Sequence, residues 1–170
     1  MNLPSAAVAG QIGKMHIVLV HPQIPQNTGS VARTCAALQW PLHLIKPLGF
    51  LIDEKRVRRA GLDYWPAVTL FEHESFADFL SEVKPAQLWM VETGGTKYPW
   101  QANFLPGDAL VFGSETKGIP QSILDTQPRE QIIRLPMRSN AVRSLNLSNT
   151  VTAVAYEALR QTAEFYLPEA

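Results

Sequence analysis

The chain has 170 residues, 46% of them hydrophobic, enough to bury one compact core and cramped for two independent domains. Fifteen Lys and Arg balance fifteen Asp and Glu, so no global positive field draws the chain onto phosphate backbones, and any nucleic-acid partner must be held by local clusters. The single cysteine, Cys35, excludes an intramolecular disulfide and a cysteine-rich metal site and leaves a reducing, cytoplasmic compartment as the expectation.

Residues 1–14 lack the basic start and long apolar centre of a signal peptide and are expected to lie outside a fold that occupies 15–170. His16-Ile17-Val18-Leu19-Val20 is apolar and β-branched without alternation, the pattern of a strand covered on both faces, and it ends at Pro22 and Pro25. Asn27-Thr28-Gly29-Ser30 offers helix-capping side chains, after which Val31, Ala32, Cys35, Ala36 and Leu38 repeat at helical spacing as far as Trp40-Pro41. His43-Leu44-Ile45 reads as a second strand, Asp53 to Ala60 as a charged helical piece, and Val68-Thr69-Leu70-Phe71 as a third strand. Ser75 caps a helix that runs to Val83 with Phe76, Phe79 and Leu80 on its apolar face. Leu88 to Val91, Ala109 to Phe112 and Ile132 to Leu135 complete the strands. The closing helix begins near Asn146 and repeats Leu147, Val151, Val154, Ala155, Ala158 and Leu159.

Strands alternating with helices predict an α/β domain with a mostly parallel sheet and helices on both faces, its ligands sitting beyond the carboxyl ends of the strands. No run reaches the roughly 18 to 20 apolar residues of a membrane span. His16, His21, His43 and His73 show no paired ligand spacing on one element, so no metal site is expected.

Three stretches carry the chemistry. Pro22 to Arg33 lies at a strand end and a helix start, and Arg33, one and a half turns beyond Asn27, is expected to border the same pocket. Phe112-Gly113-Ser114-Glu115-Thr116-Lys117-Gly118 sets a carboxylate inside a turn bounded by glycines; alone, simple turn chemistry accounts for it. It has neither the spacing of a dinucleotide fold nor the Gly-Lys-Ser/Thr of a phosphate-binding loop. Ile133 to Met137, followed by Arg143 to Asn149, crowds Ser144, Asn146, Ser148 and Asn149 at the beginning of an apolar helix, where any one of them alone reads as a cap.

Taken together and in this order, the three stretches resemble the signature motifs of the SPOUT superfamily of RNA methyltransferases, from about Met15 to the end of the last helix. Pro25-Gln26-Asn27-Thr28-Gly29, Arg58-Arg59-Ala60-Gly61-Leu62-Asp63-Tyr64 and Asn146-Leu147-Ser148-Asn149 are similar to the TrmL type, which methylates the 2'-hydroxyl of cytidine or uridine 34 in tRNA anticodon loops. The resemblance implies a homodimer, a C-terminal deep trefoil knot and S-adenosylmethionine as methyl donor. It places the cofactor near Val91, Glu92, Thr93, Gly113, Glu115, Gly118, Ile133, Leu135, Met137, Ser144 and Asn146. It assigns catalysis to Arg33, with Asn27, Ser144 and Asn146 around it. A guanidinium, with a pKa above about 12, is a poor general base, so Arg33 is read as an electrostatic partner for the developing alkoxide or an adjacent phosphate. Glu115 either joins the site or fixes its loop by accepting backbone hydrogen bonds.

Lys55, Arg56, Arg58, Arg59, Arg138 and Arg143 are the candidate phosphate-binding set, with Tyr64 and Trp65 placed to stack on an unpaired base. Two other readings stay open: methylation of another tRNA or rRNA site, and a non-catalytic RNA-binding module that kept the fold.

Overall fold

The computed structural model describes residues 13–51 and 63–167; the basic run Lys55, Arg56, Arg58 and Arg59 falls outside them. Six parallel strands run β1 (His16–Val20), β2 (Leu42–Ile45), β3 (Leu70–His73), β4 (Leu88–Val91), β5 (Ala109–Phe112) and β6 (Ile132–Ile133), in the spatial order β3-β2-β1-β5-β4-β6. The helices are α1 (Pro25–Leu38), α2 (Phe76–Val83), α3 (Gln121–Leu124), α4 (Leu147–Gln161) and α5 (Ala163–Tyr166). Every residue of β1, β2 and β5 is buried, as expected of strands covered on both faces. On one face Ile17, Leu19, Leu42 and Leu44 pack with Val31 and Cys35 of α1 and with Val151, Val154, Ala155 and Ala158 of α4. On the other, Val18, Val20, Ile45, Met90 and Val111 pack with Phe79 of α2.

Three boundaries differ from the sequence reading by more than one residue. α1 starts at Pro25 behind an extended Ile24 that gives no side-chain cap, so the helix begins two residues before Asn27, whose side chain is freed for another partner. β3 runs 70–73 rather than 68–71, because Trp65–Ala67 forms a 3₁₀ turn and Thr69 is the last connecting residue. β6 is only two residues long, since Arg134 turns its amide to Lys97 (2.8 Å).

The surroundings of β6 shape the molecule. Ile133 pairs with Val91 on one side and with Lys97 on the other, both in parallel. The connecting residues 92–97 therefore cross over β6. A Cβ at Gly95 would overlap the backbone of Ile133 and Arg134, so the crossing needs glycine there.

On the α2 face, three strands contribute one buried row of imidazoles that spacing along the chain could not reveal. His16 Nδ1 lies 3.0 Å from His43 Nε2, and His43 Nδ1 lies 3.0 Å from His73 Nε2. His73 Nδ1 ends the row 3.1 Å from Glu82 Oε2, close enough for ionic attraction although its N–H does not aim squarely at the carboxylate. With Glu82 as terminal acceptor, each Nδ1–H donates to the next ring, which fixes one tautomer throughout. The facing nitrogens are engaged with each other, which is hydrogen-bond geometry rather than a shared ligand set.

Burial lowers the pKa of His16 to about 4 from 6.5, and lowers that of His43 through burial and then its two neighbouring imidazoles. Burial also lowers His73, against the pull of Glu82 and Asp78. Depressed folded pKa values contribute stability that is fully present above the unfolded value of 6.5 and is lost as pH falls towards the folded value of about 4. Urea denaturation should therefore show stability falling below about pH 6.5. His43→Leu leaves two buried nitrogens unpaired and should cost about 1–3 kcal/mol at pH 7.5 while flattening that pH dependence. An unchanged midpoint and slope would show that the row contributes nothing.

Candidate active site

The carboxyl ends of β1, β5, β4 and β6 open into one cleft of about 1210 Å³, where an open parallel sheet is expected to hold its ligand. Loops after three of these strands are built around the motif residues, and two carboxylates organise them.

The first is Glu115. It accepts hydrogen bonds from the backbone amides of Gln23 (2.9 Å) and Ile24 (3.1 Å) and from the Asn27 side-chain amide (3.0 Å). Burial works against its charge, but these donors outweigh burial and hold it below the ordinary carboxylate range. Asn27 Oδ1 in turn accepts from the Asn146 amide at 2.9 Å. Asn146 Oδ1 caps α4 by accepting from the backbone amides of Ser148 (2.9 Å) and Asn149 (3.3 Å) and from the Ser148 hydroxyl (2.7 Å). Asn146 is thus a helix cap and a bridge at once. One continuous chain of hydrogen bonds joins all three motif stretches.

The second is Glu92. One oxygen accepts from the Thr93 amide and hydroxyl (2.9 and 3.1 Å), the other from the Ile119 amide (2.9 Å). This ties the β4 loop to the β5 loop, where Ser114 and Gly118 exchange backbone bonds. Gly113 and Gly118 fit so closely that a Cβ on Gly113 would overlap the backbone of Gly118 and Ile119, and one on Gly118 would overlap the Glu92 carboxylate. Gly118 also has φ of +69°, a conformation that side chains resist.

Of the residues singled out in the sequence, Asn27, Val91, Glu92, Thr93, Gly113, Glu115, Gly118, Leu135, Met137, Arg143, Ser144 and Asn146 all line this cleft. Ile133 does not: it is fully buried in β6 and serves through its backbone. Arg138 is exposed and outside the lining. Arg33 is also absent from it. Six residues along a helix turn a side chain through about 600°, leaving it roughly 120° from its starting direction, so Asn27 and Arg33 of one helix face different ways. Arg33 instead lies over the ring of Tyr64, 4.5 Å from its centroid, and the Tyr64 hydroxyl donates to the Gly29 carbonyl at 2.9 Å. That ring face is occupied, and Trp65 packs against the core, so neither aromatic is the free stacking surface expected of it. Tyr98 and Arg134 line the cleft and were not singled out; nothing in their local pattern marks them.

The segment 135–145 borders the cleft, and among the described residues its peptide groups make no backbone–backbone hydrogen bonds. Apart from the Ala141 amide, which donates to the Ser139 hydroxyl (3.1 Å), these amides and carbonyls, beside apolar Val91 and Leu135, suit the edge and faces of an adenine.

The pattern of the SpoU rRNA methylase family matches residues 14–156, and the chain belongs to that family. The tRNA (cytidine(34)-2'-O)-methyltransferase of Escherichia coli (strain K12) is 47% identical over 147 residues, covering 86% of this chain and 93% of its own. That of Burkholderia cenocepacia (strain HI2424) is 48% identical over 148 residues, with 86% and 94% covered. A solved structure from work on the 2'-OH methylation of C/U34 on tRNA superposes with a TM-score of 0.80 at 46% identity, covering 89% of this chain and 98% of that one. The SpoU methyltransferase AviRb from Streptomyces viridochromogenes, in complex with AdoMet, shares the fold, with a TM-score of 0.78 at 23% identity over 89% of this chain and 59% of that one.

Glu115→Gln replaces one acceptor oxygen by a donor, which faces either the Gln23 amide or the Ile24 and Asn27 amides, and Asn27→Ala removes the central link. Each should lower stability by about 1–3 kcal/mol in chemical denaturation. Asn27→Ala and Asn146→Ala should show a coupling energy of about 0.5–3 kcal/mol in a double-mutant cycle. Strict additivity would mean that the two amides act independently.

Proposed function

We propose that this chain is an S-adenosylmethionine-dependent tRNA 2'-O-methyltransferase acting in the cytoplasm, as a homodimer, on the wobble nucleotide, cytidine or uridine 34. The observation that carries this reading is the Asn146–Asn27–Glu115 chain, which draws three motif stretches into one cleft. The relatives that act on cytidine 34 support the substrate, and the C-terminal knot goes with the family, to which the crossing of residues 92–97 over β6 lends support.

Bound S-adenosylmethionine would supply a methyl group on a sulfonium. Val91, Leu135 and the backbone of 135–145 would hold its nucleoside end, with Glu92, Thr93, Gly113, Gly118, Met137 and Ser144 around it. The methyl would pass to the ribose oxygen with the carbon–sulfur electron pair left on sulfur and the hydroxyl proton released to solvent. Alignment of the two groups supplies much of the acceleration. Glu115 is ionised, but its oxygens are engaged by three donors, so it shapes the loop rather than taking that proton. Arg33 supplies positive charge for the alkoxide or its phosphate. Since Arg33 does not line the cleft of its own chain, it acts in the cleft of the second copy. Arg143 and Arg138 hold RNA phosphates near the rim.

Radiolabelled methyl transfer to bulk tRNA from cells lacking this activity should label a wobble 2'-hydroxyl, and Arg33→Ala should abolish most of it, by roughly 10²-fold or more. Label on another nucleotide would keep the chemistry and discard the site; no label with cofactor bound would favour a binding module. Mixed dimers of Arg33→Ala and Asn146→Ala chains should regain activity that neither homodimer has. Their failure to do so would return Arg33 to its own subunit.

A further inference from the structure

Exposed aromatic area next to the cleft is confined to an element that neither the motifs nor the proposed mechanism uses. Tyr98 lines the cleft, and its ring lies 5.0 Å from that of Trp100, inclined by 31°. Trp100 is 54% exposed, whereas Trp40 and Trp89 are buried and Trp65 packs on the core. On the cleft side of this pair, the Arg134 guanidinium sits 5.7 Å from the Tyr98 ring centroid, and Arg134 has no carboxylate partner among the described residues.

The mounting is firm. The Tyr98 amide donates to Gln101 Oε1 (2.9 Å), closing the 3₁₀ turn Pro99–Gln101, and Gln161 of α4 donates to the Pro99 carbonyl (3.3 Å). Arg134 is held to the same segment by its backbone N–H, which donates to the Lys97 carbonyl (2.8 Å). An exposed tryptophan with an adjacent tyrosine, fixed at the rim of a cleft and flanked by a guanidinium, offers a π face and a phosphate-binding cation within one nucleotide's reach.

We propose that Tyr98 and Trp100 form a stacking ledge for an unpaired RNA base flanking the methylated nucleotide, with Arg134 on the neighbouring phosphate. The proposal rests on the RNA substrate inferred above. It is continuous with that cleft and complementary in charge to RNA, which favours a nucleic acid over a second protein chain as the occupant. It also supplies, on the exposed Trp100 ring backed by Tyr98, the stacking surface that Tyr64, beneath Arg33, and Trp65, packed on the core, do not.

The test uses the full-length protein and an anticodon stem-loop RNA carrying 2-aminopurine on either side of the target nucleotide. Binding to the unaltered protein should quench the probe on one side, and Tyr98→Ala and Trp100→Ala should lose that quenching. Both variants should raise KM for tRNA roughly tenfold with kcat and cofactor affinity little changed. Trp100→Phe and Tyr98→Phe should keep most of the binding. Unchanged KM and quenching in the alanine variants would overturn the ledge while methylation by the unaltered protein left the RNA reading standing. A parallel loss of cofactor affinity, melting temperature or dimer would also overturn it, assigning the pair to the cofactor, the fold or the second copy. An unaltered protein that neither binds nor methylates tRNA would remove both proposals together.

Discussion

The cleft depends on one ionised carboxylate held in place by donors from a distant part of the chain. Glu115, in the loop after β5, accepts from Gln23, Ile24 and Asn27, at the start of α1. Two backbone amides at a helix entry would otherwise need water, and a carboxylate satisfies both at greater strength than a neutral acceptor. Because Asn27 spends its amide on Glu115, its carbonyl is oriented to take Asn146, and α4 starts where that bond places it. Each link fixes the next, so the geometry of the third motif follows from the first two.

Close backbone approach is the second constraint. Gly113 and Gly95 both sit where a single added carbon would strike another main chain. At Gly113 the contact is within one loop; at Gly95 it is where residues 92–97 pass over β6. Glu92 reinforces both by linking Thr93 to Ile119. A cleft whose walls are neighbouring backbones, pinned at both ends, needs little reorganisation to receive a ligand, which favours both binding and alignment.

Much of the fold was legible in the sequence because most strands are short, largely apolar runs and each long helix carries one apolar stripe. The parallel sheet, the helices on both faces and the start of α4 at Asn146 follow from these patterns. Local patterns failed where the deciding partner is remote. The polar residues at 27–30 read as a cap, yet Asn27 serves Glu115 and Asn146, 88 and 119 residues away. Arg33 was placed beside Asn27 by counting turns, when six residues carry it to another face. Three histidines separated by 27 and 30 residues gave no signal at all, since they meet only through strand pairing. Tyr98 and Trp100 sit in a stretch rich in turn residues, and their exposure beside the cleft depends on the path of that stretch past β6.

The enclosure of β6 bears on how the protein comes into being during synthesis. Ile132 and Ile133 must enter between Val91 and Lys97, segments made some 35 to 40 residues earlier, and everything that follows them, α4 included, lies beyond that passage. Asn146 therefore reaches Asn27 only after the chain has left the ribosome far enough for its last quarter to be drawn into position. A chain that ended before β6 would lack the α4 cap Asn146 and the lining residues from Arg134 to Thr150, one wall of the cleft. The cleft therefore belongs to the finished chain alone, because the residues that close it are among the last to be made.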